Sequence, residues 1–388
     1  MTTDTDGPNA LRETDAAALA LASDEQNSAK LDALLERLRE QGPSAVVSGL
    51  QAVIAGPQAD VLNVHRYIAE FAFLTGDIDE AERSLALLLA IDPDDRDALN
   101  RMGRIHKLRG RLAEAEAAYR RVMVLSADDE SWQAIAYGNL GLIYKTRGDL
   151  DQAEAMLRKA LAIDEKLGRL EGMAADYGNL GVIYKTRGDL DQAEAMHRKS
   201  LEIEEKLGRL EGMAADYGNL GLIYQIRGDL DQAESMHRKS LEIEEKLGQL
   251  EGMANQYGNL GLIYQARGEL DPAEAMHRKS LEIEEKLGRL EGMAADYGNL
   301  GVIYQIRGDL DQAESMHRKS LEIEEKLGRL EGMANQYGNL GLIAQQRSQF
   351  GEARRLWTQS RDLYKKLGGA AMVAKLQRWL DHLPPGDE

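Results

Sequence analysis

Four copies of Glu-x-x-His run from Glu194/His197 through Glu234/His237 and Glu274/His277 to Glu314/His317, each placing a carboxylate and an imidazole one helical turn apart. Helix bundles use that spacing to build di-iron centres, with facing helices contributing ligands to a common ion. A metal holds its ligands at about 2 Å, whereas packed helices stand about 8–10 Å apart. Pairs that recur once per helix pair are therefore poorly placed to share an ion. The same residues have a simpler use. Asp191-Gln192-Ala193-Glu194 reads as a capping box opening a helix, and each histidine fills an inner slot that an aromatic side chain commonly takes. No metal site and no cofactor are expected. The chain has no Cys, which removes disulfides, thiolate zinc sites and cysteine nucleophiles. It has no Walker phosphate loop, Gly-x-Gly-x-x-Gly, His-Glu-x-x-His or Gly-x-Ser-x-Gly. Catalysis needs one unique constellation, and this chain repeats one unit many times. The reading is a non-enzymatic protein without catalytic residues.

Asparagine carries the stronger signal. The string GNLG begins at Gly138 and returns every 40 residues, placing Asn139, Asn179, Asn219, Asn259, Asn299 and Asn339 inside predicted helices. Asn is a mediocre helix former, so its retention asks for a reason. An amide both donates and accepts, so a row of them can hold a peptide backbone whatever its side chains. Duplication of one ancestral unit, or bonds to a neighbouring helix, would also explain the row. Gly138 and its copies cost about 0.5–1 kcal/mol each inside a helix, which either close packing or close approach of a ligand would justify. Packing suits Gly141; Gly138 should lie nearer a groove.

The elements that position these residues are legible from spacing. In one unit Met173, Tyr177, Leu180, Gly181 and Tyr184 form the apolar face of helix A, over 170–187. Gly188 ends it in the left-handed position. Helix B, over 191–207, carries Ala193, Met196, His197, Ser200, Leu201 and Leu207, and Gly208 closes it. Neither helix can bury its stripe alone, so the units must stack. Turn glycines fall at Gly42, Gly76 and Gly110, spaced by 34, then at Gly148, and thereafter every 40 residues from Gly188 to Gly308. Segments 218–257 and 298–337 differ only at Leu222/Val302 and Gln249/Arg329, a mark of recent duplication or of consensus design. The expected organisation is an acidic disordered N-terminus (1–25), a degenerate helical repeat (26–62), two 34-residue units (63–131) and six 40-residue units (132–367). A C-terminal capping helix (368–383) carries Met372, Val373, Leu376, Trp379, Leu380 and Leu383 on one face, and a short tail (384–388) follows.

A 34-residue helix–turn–helix period is that of tetratricopeptide repeats. Leu140-Gly141, Tyr144, Gly148 and Ala153 match that family's Leu-Gly, aromatic, turn and small-residue positions. The chain therefore resembles a tetratricopeptide-repeat protein over residues 28–383. Its 40-residue variety, with the helix B sequence HRKSLEIEEKLG, resembles kinesin light chains and the Pins/LGN spindle-orientation adaptors. The proline near the end of the short motif is absent from the long units, where Glu205 stands. The resemblance implies an all-α fold, a right-handed superhelical α-solenoid of antiparallel helix pairs, acting as a binding scaffold. In related repeats, including those of O-linked N-acetylglucosamine transferase, Asn at this slot forms a ladder along the concave groove. The resemblance thus assigns peptide binding to Asn139, Asn179, Asn219, Asn259, Asn299 and Asn339. Helix A would line the groove and leave the acidity of helix B mostly on a solvated outer face. Arg101, Arg104, Lys107, Lys145 and Lys185 would make the N-terminal end of that groove basic.

Composition sets the remaining limits. With 66 acidic against 48 basic residues, net −18, nucleic acid is an unsuitable partner. No apolar run approaches the roughly 20 residues that cross a bilayer, and the acidic start lacks a secretory pattern. A cytoplasmic scaffold is expected, binding an extended segment of a protein partner that is acidic where it meets the basic end. A self-assembling or spacer solenoid using its convex surface, and a peptide-responsive regulator, are the alternatives.

Overall fold

The structure, a computed structural model, describes residues 61–384. The expected N-terminus, nearly all of the degenerate repeat and most of the C-terminal tail lie outside the described residues. Every regular element among the described residues is an α-helix. Two short pairs come first: α1 (Val61–Leu74) with α2 (Ile78–Ile91), and α3 (Arg96–Leu108) with α4 (Leu112–Leu125). Long pairs follow: α5 (Glu130–Arg147) with α6 (Leu150–Leu167), and α7 (Leu170–Arg187) with α8 (Leu190–Leu207). Next come α9 (Leu210–Arg227) with α10 (Leu230–Leu247), and α11 (Leu250–Ala266) with α12 (Leu270–Leu287). The last are α13 (Leu290–Arg307) with α14 (Leu310–Leu327), α15 (Leu330–Gln346) with α16 (Phe350–Lys366), and a final α17 (Ala370–His382). The described residues fall into two compact units that divide between Ile183 and Tyr184.

Within a pair, the helices meet where helix A has no side chain. A Cβ on Gly221 would stand 2.7 Å from the His237 ring, and one on Gly141 would stand 2.7 Å from Leu157. Gly261 and Gly301 admit His277 and His317 in the same way, and Gly341 admits Trp357. A buried hydroxyl fixes the register: Ser240 Oγ donates to the Ala214 carbonyl at 2.8 Å, and Ser280, Ser320 and Ser360 repeat the bond.

Neighbouring pairs share their cores. Leu220, Tyr224 and Ala233 of α9 and α10 pack with Ile263 of α11, and Leu300, Tyr304 and Ala313 with Ile343 of α15. In the final pair Ala344 stands where earlier repeats have tyrosine, leaving a cavity of about 250 Å³ beside Arg318 and Arg347. Helix α17 lays Leu376 and Leu380 against Leu356, Trp357 and Tyr364, with Trp379 5.0 Å from Trp357. The last helix pair is thereby covered.

Turns obey the glycine pattern, with one departure. Gly148, Gly188, Gly228 and Gly308 end their A helices at φ near 80°, a conformation glycine adopts without steric cost. In the last repeat Ser348 occupies that position at φ 61°. A non-glycine residue there carries about 1–2 kcal/mol of strain. Ser348→Gly should therefore raise the unfolding free energy of the C-terminal repeats by about 1 kcal/mol, seen as a higher midpoint in urea denaturation followed through Trp357 and Trp379 fluorescence. An unchanged midpoint would show that this turn is not strained.

Candidate peptide-binding surface

The Glu-x-x-His pairs point in opposite directions. In the second unit each glutamate lies in an outer network. Glu234 accepts from Tyr264 and Arg238 and is held by Arg267, which also reaches Asp231 at 2.5 Å. Glu194 and Glu274 make the same set. Partial burial opposes their ionisation, but the tyrosine and arginine hydrogen bonds outweigh it and hold all three near pKa 2. The capping box read from the sequence is corrected accordingly. The cap of α8 is Asp189, which accepts from the Gln192 backbone, while Asp191 and Glu194 pair with Arg227. Among the described residues no three His, Asp or Glu side chains converge on a metal-sized site.

The histidines point inward and reach the next repeat. His237 Nδ1 donates to Gln256 Oε1 at 2.8 Å and His317 Nδ1 to Gln336 at 2.8 Å. His197 and His277 meet Asp216 and Asp296 at 2.9 and 3.1 Å. The partner thus alternates between carboxylate and amide. Burial pushes the pKa of His237 and His317 down, against the pull of their glutamine bonds. The slot is not simply an aromatic one, because a tyrosine would forfeit the bond across the repeats.

In the first unit Leu157 takes the histidine's place, and Asp176 loses its partner. Its Oδ2 is buried without a hydrogen bond. Burial first, then nearby Asp164, pushes its pKa up to about 8 despite Arg169.

All six GNLG asparagines lie on A helices and are half-buried. In the first unit Asn139 donates to Asn100 at 2.8 Å, so the row extends to a residue outside the GNLG strings. Asn179 accepts from Lys145 at 2.6 Å and donates to its own helix at Ala175. In the second unit Lys185 bonds Asn219 at 2.8 Å, and Asn219 donates to Ala215. A cleft of about 380 Å³ brings Asn219 of α9 together with Asn259 of α11. Asn299 and Asn339 hold the equivalent places on α13 and α15.

Of the predicted cations, Arg104, Lys107 and Lys145 form one cluster in the first unit. Burial, and then Arg104, lowers the Lys107 pKa; burial, and then Lys107, lowers that of Lys145. Arg104 stacks over Phe73, 4.5 Å from the ring centre. Arg101 is already neutralised, by Asp97 at 2.8 Å and Glu70 at 3.6 Å. Lys185 belongs to the second unit, where burial lowers its pKa.

The sequence matches the tetratricopeptide repeat family at residues 94–166, 132–206, 212–286 and 292–366. The chain belongs to the tetratricopeptide-repeat family. Solved structures with the same fold include the apo form of the quorum sensor NprR from B. thuringiensis. That structure is 18% identical with TM-score 0.61, over 87% of this repeat protein and 99% of that chain. The apo form of RapI is 15% identical with TM-score 0.56, over 71% and 99%. A signal transduction ATPase with a tetratricopeptide repeat sensor, from Pyrococcus horikoshii, is 18% identical with TM-score 0.68, over 88% of this chain. The present chain spans 55% of that ATPase. No curated protein matches the sequence.

One set of polar residues in this tetratricopeptide array escaped the sequence reading. The acidity of helix B is not all on the outer face. Glu204, Glu244, Glu284 and Glu324 are buried against the first turn of the next A helix. Each carboxylate fills the space a Cβ on Gly212, Gly252, Gly292 or Gly332 would need. The signal was present in that recurring first-turn glycine, eight residues after the glutamate.

The Asp176 environment gives a pH dependence. Between about pH 4 and pH 8 the unfolded carboxyl is ionised while the folded one keeps its proton. The unfolded chain then binds fewer protons, so stability falls as pH rises through this window. Asp176→Asn keeps the shape and removes the titration. Its stability relative to the parent should rise steadily from pH 4 to pH 8 and level off above, measured by urea denaturation at each pH. A difference independent of pH would contradict the assignment.

Proposed function

We propose that the protein is a non-enzymatic scaffold that holds an extended segment of a partner protein on its A-helix face. The observation that carries this reading is the cleft uniting Asn219 with Asn259. Two amides of one register stand there, half-exposed, on successive A helices. An extended chain advances about 3.3 Å per residue, and packed helices stand about 8–10 Å apart. Successive asparagines would therefore meet a ligand backbone every third to sixth residue, and several rungs imply a ligand of about a dozen residues or more. Asn139, Asn179, Asn299 and Asn339 repeat the same chemistry. Arg104, Lys107 and Lys145 suit an acidic stretch or a terminal carboxylate, because their charges repel one another and burial already disfavours the charged forms of Lys107 and Lys145. Arg101 adds little, being paired. The kinesin light chain and Pins/LGN resemblance supports an adaptor, and the sensors among the similar structures support a peptide-responsive regulator. No described helix is long and apolar enough to cross a membrane; the net charge of −18 argues against nucleic acid.

Partners captured from the native cell with the full chain provide the test. Asn219→Ala combined with Asn259→Ala should weaken a captured segment by about tenfold or more, at about 1 kcal/mol per lost hydrogen bond, while leaving the melting temperature nearly unchanged. Charge reversal at Arg104 and Lys107 should weaken acidic segments selectively and flatten their salt dependence. Parent-like affinity in both variants, by isothermal titration calorimetry, would move the binding site to the outer face.

A further inference from the structure

The buried glutamates of helix B are neutralised in three repeats and not in the fourth. Arg209 Nε lies 3.5 Å from Glu204, Arg289 Nε 3.4 Å from Glu284 and Arg329 Nε 3.6 Å from Glu324. Two of these arginines also reach an acid on the preceding A helix, Arg289 to Glu251 at 3.2 Å and Arg329 to Glu291 at 3.8 Å. The corresponding position before α11 is Gln249, one of the two differences between otherwise identical 40-residue segments. Gln249 brings no charge to Glu244 or to Glu211. Glu244 is 8% exposed, and its Oε2, like those of Glu284 and Glu324, is buried without a hydrogen bond. What Glu244 lacks is the arginine that stands 3.4–3.6 Å from each of the other three. Burial, and then Glu211, pushes its pKa up.

Glu244 also borders a space that a ligand can enter. It lines the cleft of about 380 Å³ between α9 and α11, together with Gly218, Asn219, Gly252, Asn255 and Asn259. Gly252 has no side chain to shield the carboxylate. The asparagine amides offer further acceptors to a donor entering the cleft. A buried carboxylate lacking a partner is costly, and an ion pair with well-placed hydrogen bonds offsets that cost.

We infer that this cleft is a specificity pocket for a cationic side chain, lysine or arginine, of the bound segment, with Glu244 as its counter-ion. The inference rests on the groove reading above. Asn219 and Asn259 hold the backbone on either side, and the basic side chain descends between α9 and α11 to Glu244. The pocket selects sequence where the asparagine row does not. In the other three repeats the protein's own arginine stands beside the carboxylate and neutralises it.

Display of random 12-residue peptides on the full-length protein tests this, with parent, Gln249→Arg and Glu244→Gln selected in parallel. Gln249→Arg installs the arginine that three repeats already carry, so a folded protein is expected, checked by its helical circular dichroism. Peptides selected by the parent should carry Lys or Arg in one fixed register. Replacing that residue by norleucine should weaken parent binding by at least about tenfold, and both variants should lose the preference. Peptide families without a basic preference, or with the same preference in all three forms, would overturn the pocket and leave the groove standing. If no form recovers a peptide family, both the groove reading and the pocket fall.

Discussion

The array depends on the absence of a side chain at one position of each A helix. Because Gly221 has no Cβ, His237 of helix B can lie against the A-helix backbone and extend past it to Gln256 of the next A helix. One side chain thus closes its own helix pair and fixes the position of the following one. Leu157 and Trp357 fill the equivalent place with different volumes and do not bond to the next repeat's Asp or Gln. The spacing between successive A helices follows from this contact. The separation of the asparagines, and the cleft in which Asn219 and Asn259 meet, follow in turn.

Much of this was legible in the sequence because periodicity reports backbone geometry directly. Left-handed glycines, paired helices and the inward histidines all come from spacing. What the sequence concealed was which acid on a helix wheel faces solvent and which faces a glycine of the next helix. Glu205 and Glu204 are adjacent in sequence, yet Glu205 is exposed and meets a tyrosine hydroxyl while Glu204 is buried. Only the packing of the following A helix separates them. The pairing of His with alternating Asp and Gln was hidden for the same reason, since the two residues lie 19 positions apart on helices of different repeats. The true helix cap, Asp189, lies two residues before the one inferred, because Asp191 and Glu194 are drawn to Arg227 of the next pair.

Polar chemistry divides between the two helix layers. Around Glu194, Glu234 and Glu274, charges are paired, hydrogen-bonded and saturated. Such a lattice resists exchange with a ligand. The A-helix face instead presents half-exposed amides and a cluster of mutually repelling cations, and beside it lies one buried helix B carboxylate without its arginine. Near-identical repeats make the exceptions informative: Gln249 and Leu157 each remove one partner from a recurring pair.

The most direct test of this account is a double-mutant cycle between His237 and Gln256, using His237→Leu, Gln256→Leu and the double substitution in the full chain. Equilibrium unfolding in urea gives the four free energies. If the imidazole joins the repeats as described, each single change leaves a buried polar group unpaired. The double change should then recover much of the loss, with a coupling energy of about 0.5–3 kcal/mol. Single effects that add to within about 0.3 kcal/mol would show that the histidine only fills space and that the repeats are held together without it.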